Sequence, residues 1–189
     1  MSIKISLKTN INYKEARNLV LFCDENFKIN DFDKLPIKQN SNEIRKTINM
    51  HLSDKKDILL FNVNSTQRLI LLKIKDKFSS LDIEKKGAEF FNFIKSNLIL
   101  NINFFDQNFK NYHKKNANFF YDFIQGIQLK SYEFNKYKTK IDKKNFELNI
   151  INKGKFLNFT KNKRFNALIE GTNFTKDLVS EPGNILHPD

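Results

Sequence analysis

Leu19-Val20-Leu21-Phe22-Cys23 is an unbroken apolar run near the start of this 189-residue chain. Such a run, without polar alternation, is typical of a β-strand that is covered on both faces. Two similar runs follow at 58–61 and 69–72, and the polar segment 62–67 between them predicts a hairpin. All three runs are therefore candidates for buried strands.

Other segments show alternating strand patterns and long helical patterns. Ser2–Lys8 and residues 146–150 alternate apolar and polar side chains, which predicts strands with one buried face. Residues 98–105 are predicted as a further strand. Helices are predicted over 41–52, 80–97 and 116–134, whereas 106–115 is predicted as a loop.

Alternation of strands with long helices, several strands being apolar throughout, indicates an α/β fold. We expect a mixed, mostly parallel five- to six-stranded sheet with helices on both faces, followed by a linker helix. In the helix over 80–97, Gly87 is expected to allow close approach to a neighbouring strand.

The linker helix is predicted over Arg164–Val179. Its periodicity places one apolar group on one side and a second group on another side, whereas an ordinary surface helix has a single apolar stripe. The helix is therefore expected to pack between two bodies, although a natural C-terminal helix with a frayed tail also fits the pattern. The first group is Phe165, Leu168, Ile169, Thr172 and Val179, and the second is Ala167, Gly171, Phe174 and Leu178.

Composition indicates a globular chain of one domain and a little more. It is 40% hydrophobic and contains twenty phenylalanines. The one cysteine, Cys23, excludes a disulfide framework and, lying in an apolar run, is predicted to be a buried, inert thiol. No signal-peptide core occupies residues 1–10, and no apolar run approaches the length of a membrane span, so a cytoplasmic protein is predicted.

The net charge of +12 raises nucleic acid as a partner. Residues 130–164 carry +8 of that charge, with aromatic side chains interleaved. Yet the chain has only four arginines, and phosphate and base recognition favour arginine over lysine. A lysine-rich solvated surface is the simpler interpretation, and nucleic-acid binding by 130–164 remains the alternative.

Motifs for chemistry are missing. The sequence has no GxGxxG, GxxxxGK or GxSxG pattern. His51, His113 and His187 stand far apart without the spacing of metal ligands, and acidic pairs such as Asp24-Glu25 lie in polar loops. The sequence therefore predicts no catalytic, metal-binding or substrate-binding residue in this chain.

Residues 126–139 read GIQLKSYEFNKYKT, and residues 170–188 read EGTNFTKDLVSEPGNILHP. Both segments resemble the cytosolic leucyl aminopeptidase family of two-domain metallopeptidases. The first matches the family pattern G-x-x-L-x-S-Y-x-F-x-x-Y-K-T. Residues 170–188 match E-G-x-x-x-x-R-D-L-V-S-E-P-x-N-x-x-x-P, in the family's order and at about its spacing. Lys176 departs from the usual arginine, losing bidentate bonding, and His187 departs from the usual threonine. The resemblance covers residues 126–189 and is compatible with the α/β pattern before them.

The resemblance implies a domain arrangement. An N-terminal α/β domain spans 1–152, a linker helix region spans 153–181, and residues 182–189 begin a catalytic domain that is absent from this chain. The family's metal-binding and catalytic residues lie beyond Pro182-Gly183-Asn184.

The resemblance also implies a function. The full-length enzyme would release N-terminal amino acids from peptides, using two divalent cations, zinc or manganese, held by the catalytic domain. This chain, without cofactors of its own and inactive alone, would be a scaffold that contacts its own catalytic domain and a homo-oligomer, usually a hexamer. A stand-alone regulator that kept only this half is the further alternative.

Overall fold

A computed structural model describes residues 2–8, 16–30, 32, 35, 37, 41–51, 56–139, 144–151, 163–183 and 185. Strands and helices alternate along most of the chain, as predicted. The elements are β1 (Ser2–Lys8), β2 (Asn18–Cys23), α1 (Ser41–His51), β3 (Ile58–Asn62), β4 (Arg68–Lys73), α2 (Ser80–Ser96), β5 (Asn101–Phe105), α3 (Asp106–Lys115), α4 (Phe119–Ser131), β6 (Asn145–Ile151) and α5 (Lys163–Ser180).

The strands form one six-stranded sheet in the order β1-β6-β5-β2-β4-β3. β2 lies parallel to both β4 and β5, with Leu19 beside Leu69 and Asn103. β3 and β4 form the predicted antiparallel hairpin, and the other neighbouring pairs are parallel. The mixed, mostly parallel sheet is confirmed.

Both faces of β2 are buried, which explains its unbroken apolar sequence. Val20 and Phe22 point into the larger core cluster, shared with α2, α3 and α4. Leu19, Leu21 and Cys23 point to the opposite face, where they join the cluster that includes the buried side of α1. Helices therefore cover both faces, as predicted.

Phenylalanine fills the larger cluster. The Phe22 ring is fully buried and lies within about 6 Å, centroid to centroid, of several aromatic rings from three elements. Aromatic pairs of this kind add stabilisation beyond the area they bury. Those neighbours are Phe104, Phe109, Tyr112, Phe119, Phe120 and Phe123.

Two glycines let α2 and α4 touch through their backbones. A Cβ on Gly87 would lie 2.1 Å from the carbonyl oxygen of Phe123, and one on Gly126 would lie 1.9 Å from that of Glu84. The expectation that Gly87 approaches a strand is therefore wrong, because the close neighbour is a helix. A glycine pattern shows that space is needed but does not identify what occupies it.

The prediction of a loop over 106–115 is also wrong, since these residues form α3. The segment has few apolar residues, so its helical period is weak, yet Phe109 and Tyr112 are buried at helical spacing. Buried Asn108 binds β2: its side-chain oxygen accepts from Phe22 N at 2.6 Å and its amide donates to Phe22 O at 3.0 Å. A polar residue thus anchors the helix, and apolar periodicity cannot register that contact.

Within the described residues, no helix is long and apolar enough to cross a membrane.

Candidate functional site

The residues with reactive side chains lie apart. Cys23 is fully buried, its thiol donates to Leu72 O at 3.3 Å, and burial strongly raises its pKa, so the predicted burial of this thiol is confirmed. His51 ends α1, and His113 lies in α3, where burial lowers its pKa. His187 is outside the described residues. Among the residues that the structure describes, no three His, Cys, Asp or Glu side chains cluster as metal ligands would.

The two motif segments, in contrast, come together. α4 ends inside the first motif and α5 carries most of the second, and α5 packs along α4. Near the start of α5, Phe165 is buried with its ring 5.5 Å from that of Tyr121. Ile169 also packs against the larger core cluster. These contacts attach the N-terminal half of α5 to the body.

Polar bonds attach the C-terminal half. We define the motif junction as Tyr132, Lys136 and Tyr137 from the first motif with Lys176, Asp177 and Glu181 from the second. The Tyr132 hydroxyl donates to Asp177 Oδ1 at 2.6 Å. Glu181 accepts from Lys136 Nζ and from the Tyr137 hydroxyl, each at 2.5 Å. These partners are 44 and 45 residues apart in the chain.

Lys176 performs a separate task in the junction. Its ammonium donates to Leu129 O at 2.8 Å and lies 5.1 Å from the centre of the Tyr132 ring. Leu129 is in the last turn of α4, where carbonyl groups lack helical partners and the helix dipole favours a cation. A lysine can make this bond, so the departure from the family's arginine leaves the contact in place.

The charges of the junction reinforce one another. Hydrogen bonds from Lys136 and then from Tyr137 lower the pKa of Glu181. The same contacts with Glu181 raise the pKa of Lys136 and of Tyr137. At neutral pH the Glu181 carboxylate is therefore held between the Lys136 ammonium and the neutral Tyr137 phenol. The Glu181 side chain is only 10% exposed, which places it at the base of the contact.

Several apolar side chains of α5 are left exposed by the part of the body that the structure describes. We define the free flank as the exposed apolar side chains of α5, Leu168, Phe174, Leu178 and Val179, whose exposures are 44, 64, 40 and 80%. A groove of about 550 Å³ runs beside it, between α5 and Tyr132. Of the first predicted apolar face, Phe165 and Ile169 contact the body, whereas Leu168 and Val179 are exposed. Phe174 and Leu178 of the second predicted face are exposed as well, and packing of α5 between two bodies stays a prediction.

The basic segment 130–164 is only partly within the described residues. Lys136 binds Glu181 there, and the hydroxyls of Tyr132 and Tyr137 bind carboxylates. These groups hold the junction, which reduces what the segment can offer to a phosphate backbone. Nucleic-acid binding stays a prediction.

Comparison with known proteins gives one sequence match to part of the chain. No family model matches the chain. The probable cytosol aminopeptidase of Persephonella marina is 39% identical over 69 residues, a stretch that covers 35% of this chain and 14% of that protein.

Solved structures extend the likeness to the fold. A tomato leucine aminopeptidase variant superposes with a TM-score of 0.68 at 19% identity, covering 99% of this chain and 40% of that one. The macrodomain of Thermus aquaticus DarG superposes with a TM-score of 0.52 at 10% identity, covering 80% of this chain and 99% of that one. The chain thus spans well under half of the aminopeptidases that it matches.

Proposed function

We propose that this chain, an aminopeptidase-family N-terminal domain in sequence and fold, is the non-catalytic scaffold of a leucyl aminopeptidase-like metallopeptidase. The full enzyme would act in the cytoplasm and release N-terminal amino acids from peptides. In this proposal the division at about residues 152 and 181 separates the α/β body, the linker helix and the beginning of the catalytic domain.

The observation that carries the proposal is the free flank of α5, presented by a helix that the motif junction holds in place. In this proposal the exposed apolar side chains of α5, a helix about 27 Å long, form a surface that the catalytic domain covers. The apolar contacts of Phe165 and Ile169 and the polar bonds of the motif junction hold α5 against the body. The helix therefore presents its free flank in a set orientation, as a connection between two domains requires.

Catalysis in this proposal lies outside the described residues. Two divalent cations, zinc or manganese, would polarise the scissile carbonyl and activate a water molecule. The side chains described here do not fit that task, because no His, Cys, Asp and Glu cluster is present among them. The scaffold would instead contact the catalytic domain and contribute to a homo-oligomer, a hexamer as the family resemblance suggests.

Expression of the intact reading frame tests this proposal. Its product is expected to exceed the 22.4 kDa of residues 1–189 and to hydrolyse leucine amide with added manganese or zinc. Residues 1–189 expressed separately are expected to show no turnover above the blank. A reading frame that stops after Asp189, or clear turnover by residues 1–189, would refute the proposal, and the first result would favour the stand-alone regulator.

Phe174→Asp and Asn166→Asp in the intact product test whether the free flank of α5 contributes to activity and assembly. Both positions are exposed on α5, but only Phe174 belongs to the free flank. Asn166 is the matched control. We expect Phe174→Asp to lower activity and weaken the oligomer, as seen by size-exclusion chromatography with light scattering, while Asn166→Asp changes neither.

A further inference from the structure

A second surface feature lies on the other side of the sheet from α5. The loop after β2 and helix α1 border a half-open cavity of about 460 Å³, which we name the loop–α1 cavity. Its apolar wall includes Phe27, Phe32, Ile44 and Ile48. Small-molecule sites in proteins are mostly apolar clefts of roughly 300–1,000 Å³. The cavity therefore has the size and the lining of a ligand site.

Its position agrees with the topology. The chain leaves β2 through α1 to the β3–β4 hairpin on one side of β2, and returns from β4 through α2 to β5 on the other side of β2. α1 and α2 pack on opposite faces. The loop after Cys23 thus lies at the carboxyl end of β2, beside the point where strand order reverses. Open α/β sheets characteristically bind ligands at such a point.

The loop is a built structure. The Asp24 carboxylate accepts from the backbone N–H of Asn26 at 2.9 Å and of Lys28 at 2.8 Å. Asp24 and Lys28 are also joined through their backbones. These bonds hold Phe27 in the left-handed region, with φ of 58°, and its side chain is buried. Phe27 therefore points inward as cavity wall while the neighbouring Lys28 remains exposed.

Two cations border this apolar wall. Lys28 and Arg45 both line the cavity and are exposed. In the part of the chain that the structure describes, neither side chain forms an ion pair or hydrogen bond. A third cation nearby already has a partner, because the Lys73 ammonium lies 4.3 Å from the centre of the Phe27 ring. An apolar wall bordered by two cations that form no ion pair among the described residues complements a molecule with an apolar body and an anionic head.

We propose that the loop–α1 cavity binds a small anion with an aromatic or aliphatic body, its carboxylate or phosphate held by Lys28 and Arg45. The apolar body would lie against Phe27, Phe32 and Ile48. The site is independent of the proposed function, because it uses neither the motif junction nor the free flank of α5.

NMR titration of the ¹⁵N-labelled chain tests the site with small probes. The probes are 3-phenylpropionate and phenyl phosphate, with neutral 3-phenylpropionamide and short acetate as controls. A probe of this size is expected to bind with a Kd of about 1 mM. Saturable shifts should centre on 27–32 and 44–49 for the two anions, while the amide and acetate bind about tenfold more weakly. The two anions compared with each other show whether a carboxylate or a phosphate fits better.

Variants of the rim and wall complete the test. Lys28→Gln and Arg45→Gln are each expected to weaken both anions about tenfold, whereas Lys46→Gln, an exposed cation of α1 outside the cavity, leaves the affinity unchanged. Ile48→Trp should fill the cavity and remove binding while the amide spectrum elsewhere stays native. Shifts centred on α5, equal affinity for the amide and the acid, or equal loss with Lys46→Gln would overturn the proposal.

Discussion

Helix α4 has two neighbours, and it contacts them by opposite means. Against α2 it packs backbone to backbone through Gly87 and Gly126, within a core of buried phenylalanine rings. Against α5 it relies on Phe165 at one end and on the polar motif junction at the other. The α2–α4 contact has no room for a side chain at either glycine. The α4–α5 contact leaves the free flank of α5 exposed. The α/β body therefore buries its own apolar core, whereas the described part of the body orients α5 but leaves its free flank exposed.

Aromatic truncation should show this contrast most strongly. Phe22→Ala is expected to lower the free energy of unfolding by about 4 kcal/mol, because it leaves a cavity among several rings. Phe174→Ala, with a side chain that is 64% exposed, should change it by less than about 0.5 kcal/mol. Urea denaturation followed by circular dichroism measures both. A comparable loss for the two variants would mean that α5 belongs to the cooperative core.

Glycine replacement makes the same contrast at the backbone. Gly87→Ala is expected to cost about 3 kcal/mol, since its Cβ would meet the Phe123 carbonyl and the helices would have to separate. Gly171→Ala meets nothing within 4 Å and should instead stabilise α5, by up to about 1 kcal/mol of helix propensity. Thermal and urea unfolding report both values. A neutral Gly87→Ala would contradict the close α2–α4 contact.

The end of α2 offers a smaller, stabilising test within the body. Leu98 has a φ of 52° and is 64% exposed, while Ile99 N donates to Ile94 O at 2.9 Å to close the helix end. Glycine adopts this conformation without the steric cost that leucine bears, but it loses more entropy on folding. Leu98→Gly is therefore expected to gain about 0.5 kcal/mol in urea unfolding. A loss above that size would indicate that the exposed leucine makes a stabilising contact.

The motif junction should give the smallest effect on global stability and a local effect on α5. Because the pKa of Glu181 is lowered in the folded state, its contribution is present above its ordinary pKa of 4.5 and is lost as pH falls through the lowered value. The raised pKa values of Lys136 and Tyr137 act in the other direction, so their contribution is lost at high pH, above their ordinary values of 10.5 and 10.0.

Amide exchange of α5 relative to α4, a ratio that cancels the intrinsic pH dependence, measures this attachment. The ratio should be flat near neutral pH and should rise towards acid as Glu181 is protonated. Glu181→Gln should raise it at neutral pH and remove the acid rise, whereas Glu170→Gln, exposed on the same helix, should leave it unchanged. A ratio that is independent of pH and of Glu181 would show that Phe165 and Ile169 hold α5 without the junction.

Local pattern was sufficient for most of the architecture. The apolar run at 19–23 and the alternation at 2–8 and 146–150 depend only on which faces of a strand are buried, and that property is written in the order of residues. The hairpin, the long helices and the extent of α5 follow from the same periodicities. The two motifs also carried the family resemblance without any coordinates.

What pattern left open were contacts between residues distant in the chain. Asn108 anchors α3 by bonding across the core to β2, so a segment with weak periodicity became a helix. Gly87 contacts α4 closely because Gly126 of α4 also lacks a side chain at the same contact.

The motif junction and the loop–α1 cavity belong to the same class. Lys136 and Glu181 are 45 residues apart, and nothing in either motif states that they touch. The periodicity of apolar residues shows which face of a helix or strand is buried. It does not show which residues of another element that face contacts. The mutual placement of two elements arises only when the whole sheet and its helices have packed.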